Sequence, residues 1–193
     1  MKNISFRPKP FNVAAGEKEA DPVLKEGNLL CNVLNRAARS CFYTIQNKNE
    51  GKIPFGVIDE DVLSNARQCI LRFEQAMYRK HLHQAFSTVD KYIRQINKYW
   101  NANTKNLDDD PDALRQVLIN AFHMLRVATV LMHPIAPVGT EKIRIQLNVP
   151  PSFWSWEHIF EPLYFFMADP EAHEPLVLPP RTDFFDKPAC QYR

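Results

Sequence analysis

Glycine is scarce in this chain, with five in 193 residues, and none falls in a run that could cradle a phosphate. The four cysteines, Cys31, Cys41, Cys69 and Cys190, form no Cys-x-x-Cys, which argues against a zinc ribbon or a dithiol centre. Three of them lie within apolar helical patterns, the setting of reduced thiols in a cytosolic core. No run of about 18 apolar residues occurs, so no membrane-spanning helix is expected. No apolar stretch follows the basic start as in a secretion signal, and the expected location is cytoplasmic. No His-x-x-x-His or Glu-x-x-His sets metal ligands one helical turn apart, and no metal site is expected. No serine or cysteine stands in a nucleophile elbow. His123 and His133 read as satisfied core or helix-end histidines, and no catalytic residue is expected.

What the chain does contain is helical periodicity. The expected fold is all-α, a bundle of about five helices with an irregular C-terminal segment rich in aromatics and proline. Residues 1–20 read as an N-terminal arm, 21–149 as the helical bundle, and 150–193 as a segment packing back on it. Asp21-Pro22 looks like a cap with proline at the first helical position, opening a helix that runs to about Asn47. Asp59 should cap a second helix, and a third carries Leu82, Phe86, Val89, Ile93, Ile96 and Trp100 at three-four spacing. Pro111 opens a helix apolar on most of its circumference, the mark of a buried central element. It stops at His133-Pro134, and a fifth helix begins near Pro137. A short helix is expected around Trp156.

Charge is unevenly spread. The whole chain is formally +2, yet residues 67–105 carry a net +6 and residues 157–183 a net −5. A basic stretch in a near-neutral protein points to a polyanion, or else forms a solvated helix face. Within the first helix Asn28, Asn32 and Arg36 recur at i, i+4 and i+8, so all three point one way. Cys31, Leu34, Ala38, Cys41 and Ile45 make the core-facing seam beside them. Asparagine amides and a guanidinium on the flank of a packed helix suit base edges and phosphates. Lys91, Arg94 and Lys98 lead up to Trp100 at helical spacing and could hold backbone phosphates. Trp100 itself reads either as core or as a stacking plane.

These residues carry a resemblance. Asn32-Val33-Leu34-Asn35-Arg36 resembles the N-x-x-N-R signature that opens the helical anticodon-binding domain of methionyl-tRNA synthetases. Lys98-Tyr99-Trp100 is similar to the segment that places that family's stacking tryptophan. Leu131-Met132-His133-Pro134-Ile135-Ala136-Pro137 resembles the P-x-x-P corner of class I synthetase anticodon domains, and Phe153 to Pro162 the tryptophan-containing segment beyond it. The resemblance spans roughly 21 to 165. It implies tRNA recognition through the anticodon stem-loop, with Asn32 and Arg36 on the edge of the first anticodon base, a cytosine, and Asn28 beside them.

The catalytic signatures and zinc-binding cysteines of such enzymes are missing. The resemblance therefore implies that ATP, and zinc if any, belong to a catalytic domain supplied in cis or in trans, with no cofactor in this chain. The first helix also runs about one turn longer than the family pattern, which leaves a second register open with Asn35 and Arg39 in the reading positions. Cys31 through Arg39 resembles the corresponding helix of valyl- and isoleucyl-tRNA synthetases as well. Other readings are a free-standing tRNA-binding relative and a helical protein-interaction module. Neither membrane nor DNA is an expected partner.

Overall fold

The computed structural model describes residues 28–105 and 110–186. The expected arm, residues 21–27 and Cys190 lie outside the described residues. Helix dominates, and no strand occurs among the described residues; the all-α expectation holds. The chain enters through π-helical turns, Leu29–Leu34, that run directly into α1, Asn35–Lys48. There follow α2 (Glu60–Tyr78), α3 (Leu82–Asn103), α4 (Pro111–Met132) and α5 (Pro137–Leu147), then three short 3-10 turns.

The π-helical start corrects the α-helix expected there. The Asn35 N–H reaches back five residues to the Leu30 carbonyl, so each turn takes up about one residue more than an α turn. Residues four apart then drift less to one side, and Asn28 and Asn32 stay in line as the helix tightens toward Arg36. The Asn32 amide donates to the Asn28 side-chain oxygen within that line.

α4 is the hub, buried without a break from Val117 to Met132, as its all-round apolar surface requires. Asp110 caps it through the Ala113 N–H at 2.9 Å, with Pro111 in the first turn. Phe42 of α1 meets Phe122 of α4 edge to face, ring centroids 5.7 Å apart. Each such buried ring contributes about 1.5–3 kcal/mol over exposure.

The Asp59 expectation needs correction. Asp59 stands at the N-terminus of α2 but makes no side-chain cap. Its carboxylate accepts instead from Asn120 at 2.7 Å and Gln116 at 2.8 Å, both on α4, while its own N–H donates to Asn120 Oδ1. The fully buried Asn120 also donates to the Tyr99 hydroxyl, so one amide ties α2, α3 and α4 together. A buried amide is costly unless satisfied, and this one is. Burial is the main reason the Tyr99 phenol is pushed above its ordinary range.

The segment after α5 lies back on the bundle. Arg126 of α4, with no exposed surface, donates to the carbonyls of Ile159 and His158. Its guanidinium stands 4.9 Å from the centre of the Phe166 ring, a cation–π contact that replaces part of the lost hydration. Further on, Gln146 and Leu176 exchange two hydrogen bonds. Around Trp156 the structure has 3-10 turns, Pro151–Trp154 and Trp156–His158, in place of one short helix.

Candidate functional site

A groove of about 350 Å³ opens between the π-helical turns and α3. One wall carries Asn28, Asn32 and Arg36; the other carries Arg94 and Lys98 of α3. Val33 and Asn97 complete the lining, and the Asn97 amide donates to the Val33 carbonyl at 2.9 Å, holding the two walls together. Asn97 was missed in the sequence, although it stands three residues beyond Arg94 on the same side of the helix. Asn28, Asn32, Arg36 and Lys98 are all exposed.

Charge in the groove is only partly compensated. Arg94 donates from Nε to both oxygens of Asp90, at 3.0 and 3.2 Å, one turn earlier. Arg36 and Lys98 make no side-chain hydrogen bond or ion pair among the described residues. The groove thus offers two free cations, a third held in place by a carboxylate, and amides with donors and acceptors to spare. Such a set can bind phosphate oxygens by charge and base edges by shaped hydrogen bonds.

Two of the expected residues point elsewhere. Asn35 has no exposed surface. Its amide donates to the Cys31 and Phe185 carbonyls at 3.0 Å each, and its oxygen accepts from the Phe184 and Phe185 N–H groups. Arg39 pairs with Asp183 at 2.9 Å. The register with Asn35 and Arg39 in reading positions is therefore corrected: both hold the C-terminal segment, and Asn35 has no group left to offer. The cause is tertiary, since residues 183–186 cover that flank of the helix.

Trp100 and Lys91 also stand outside the groove lining. Trp100 is half-buried against the core near the end of α3, in line with Ile93 and Ile96, and its indole N–H has no partner among the described residues. Lys91 faces a second depression, between α2 and α3.

The histidines divide. His133 stacks on Trp154, centroids 3.7 Å apart, and its Nδ1 is 2.9 Å from the Thr140 hydroxyl, which satisfies it at the proline corner. His123 is buried and its Nδ1 has no partner among the described residues, which corrects the expectation of a satisfied core histidine; burial and then Arg126 push its pKa down to about 4. Among the described residues no three His, Cys, Asp or Glu side chains are grouped to hold a metal ion. No described helix is long and apolar enough to cross a membrane.

No protein-family profile matches the chain. Over 171 residues, 84% of its length, it is 25% identical to the methionine–tRNA ligase of Janthinobacterium sp. (strain Marseille), of which it covers 24%. Over 129 residues it is 27% identical to the methionine–tRNA ligase of Haloarcula marismortui, covering 63% of this chain and 17% of that one. Among solved structures, the apo form of Mycobacterium tuberculosis methionyl-tRNA synthetase matches with a TM-score of 0.69 at 19% identity. That match covers 87% of this chain and 35% of the other. The chain thus spans about a quarter or less of the length of the curated relatives it matches. Its fold is that of an all-α bundle within methionyl-tRNA synthetases. In sequence as well as in fold, it resembles part of methionyl-tRNA synthetases.

Proposed function

We propose that this chain recognises the tRNA anticodon as the helical domain of a methionine-type aminoacyl-tRNA synthetase and performs no catalysis of its own. Asn32 and Arg36 read the edge of the first anticodon base, Asn28 orients Asn32, and Arg94 and Lys98 hold the adjoining backbone. Trp100, at the end of the same helix, supplies a stacking face for an unpaired base. A catalytic domain, in cis or in trans, charges the tRNA, and ATP and any zinc belong to that domain. The protein acts in the cytoplasm, where tRNA is charged.

The observation that carries this reading is the groove itself, where three residues of one helical line face two cations of α3 across a shared depression. The test is binding of a 17-nucleotide stem-loop with a CAU anticodon, beside GAU and CAC loops. A CAU preference lost in Arg36→Ala supports the reading, and equal binding to all loops sinks it. Trp100→Ala should weaken every loop by about 1–3 kcal/mol without changing their order.

A second reading rests on one specific observation. Trp156, Phe160, Tyr164 and Phe165 of the C-terminal segment all remain substantially exposed, as a module docking on a protein would require. Absence of RNA binding near physiological salt would favour it.

A further inference from the structure

Lys91 lies on the side of α3 next to Arg94 and Lys98, yet it lines a different depression and its surroundings are of a different kind. It faces Arg72 of α2 across a depression of about 230 Å³ that Asn65, Gln68 and Gln95 also line, with the buried Tyr92 in its floor. Among the described residues no carboxylate lines this depression. The side chains of Arg72, Lys91, Asn65, Gln68 and Gln95 make no hydrogen bond or ion pair among the described residues. The Tyr92 hydroxyl is buried and has no partner among the described residues. Buried hydroxyls are satisfied in the great majority of cases, so this one leaves a donor unused.

Two cations without acids and a set of spare amides converge on one place. Interspersed carboxylates would make an ordinary solvated helix face, and the described residues place none in this depression. The depression is open and both cations are exposed, so a lone small anion would be held weakly against water. A strand whose neighbouring phosphates are already bound elsewhere loses little further freedom by placing one more there. α3 borders both depressions: Lys91 and Gln95 line one, Arg94 and Lys98 the other. Their centres are about five residues apart along the helix, roughly 7 Å at 1.5 Å per residue.

We infer that the depression between α2 and α3 is a second RNA contact, in which Arg72 and Lys91 bind backbone phosphates of the strand whose base is read beside Arg36. This rests on the anticodon reading above and deepens it. The contact carries affinity and salt dependence, and no base preference.

The experiment compares the full chain with Arg72→Gln/Lys91→Gln, titrating CAU and GAU stem-loops and hexauridylate over a range of salt. Loss of two single-stranded phosphate contacts should reduce the slope of log affinity against log salt by about 1.4. Affinity for the CAU and GAU loops should fall by one common factor, leaving their ratio unchanged. Far-UV circular dichroism checks the fold, and the single variants stand in if the double one fails. An unchanged slope in a protein that still prefers CAU overturns the second contact and leaves the anticodon reading intact. Should the wild type show no CAU preference, hexauridylate decides: a reduced slope upholds the contact, and an unchanged one overturns it. Inorganic phosphate forms the last arm. If it saturates the site while the RNA slope is unaffected, the depression is a small-anion site and the inference falls.

Discussion

Asn35 and Phe185 exchange two hydrogen bonds, the Asn35 amide donating to the Phe185 carbonyl at 3.0 Å and the Phe185 N–H donating back at 3.1 Å. A side chain in the first helix thereby pairs with the backbone 150 residues away, much as one strand pairs with another. The Phe184 N–H shares the same acceptor, and the Phe184 ring packs on Phe42, 5.9 Å between centroids. The flank of the helix next to Arg36 is closed by this contact.

Asn35→Ala should therefore be costly. It strands the N–H groups of Phe184 and Phe185 in a buried site, and the expected loss is about 2–4 kcal/mol in urea denaturation. Arg39→Ala breaks only a half-exposed ion pair and should cost under about 1 kcal/mol. Equal, small losses from both would mean that the C-terminal segment is not held through Asn35.

Gly139→Ala tests the same segment from the other side. A Cβ at Gly139 runs into the Phe185 ring and crowds the Phe184 carbonyl oxygen. The substitution should loosen residues 183–186 and hasten tryptic cleavage after Arg181. Its φ is not the obstacle, so the effect is steric. A Phe185→Ala/Gly139→Ala double variant should lose much less from the alanine than the wild type does.

Acid should weaken the fold through His123. Its folded pKa is down to about 4 against an ordinary 6.5, chiefly because burial disfavours the charged ring. Below pH 6.5 the unfolded chain takes up a proton that the folded chain refuses, so this contribution is present above pH 6.5 and lost as pH falls toward 4. Between pH 7.5 and 5 it amounts to about 2 kcal/mol. Urea midpoints at the two pH values should show a smaller decline in His123→Leu than in the wild type. Parallel declines would contradict the buried neutral ring.

The thiols of Cys41 and Cys69 should be inert. Burial pushes each up to about 12, so almost no thiolate exists at neutral pH. Iodoacetamide at pH 7.5 should leave both unmodified in the native protein and alkylate both in urea, as read by mass spectrometry. Native modification at the rate of a free thiol would mean that α1 and α2 open readily.

Much of the helical plan was legible in the residues. Pro111 marked the start of α4 and His133-Pro134 its end, because proline's fixed φ and missing N–H act within one turn and need no distant partner. The all-round apolar surface of α4 marked the hub. The line Asn28, Asn32, Arg36 was legible for the same reason, since helical period alone sets which side chains share a direction. Asp59 was misread because a capping aspartate and one bonded to a distant amide look alike locally; only the approach of Asn120 separates them.

Sequence order thus determined which residues lie together along each helix, because hydrogen bonding between near neighbours fixes the period. It did not determine what lies opposite them. Arg36 and Asn35 are adjacent, yet one faces an open groove and the other is sealed beneath residues 184 and 185. Lys91 and Lys98 are seven apart, almost in line on one helix, yet they face different depressions. α2 lies beside Lys91 and the first helix beside Lys98. Which elements pack beside α3 is a property of the tertiary core, and it decided which cations meet which amides.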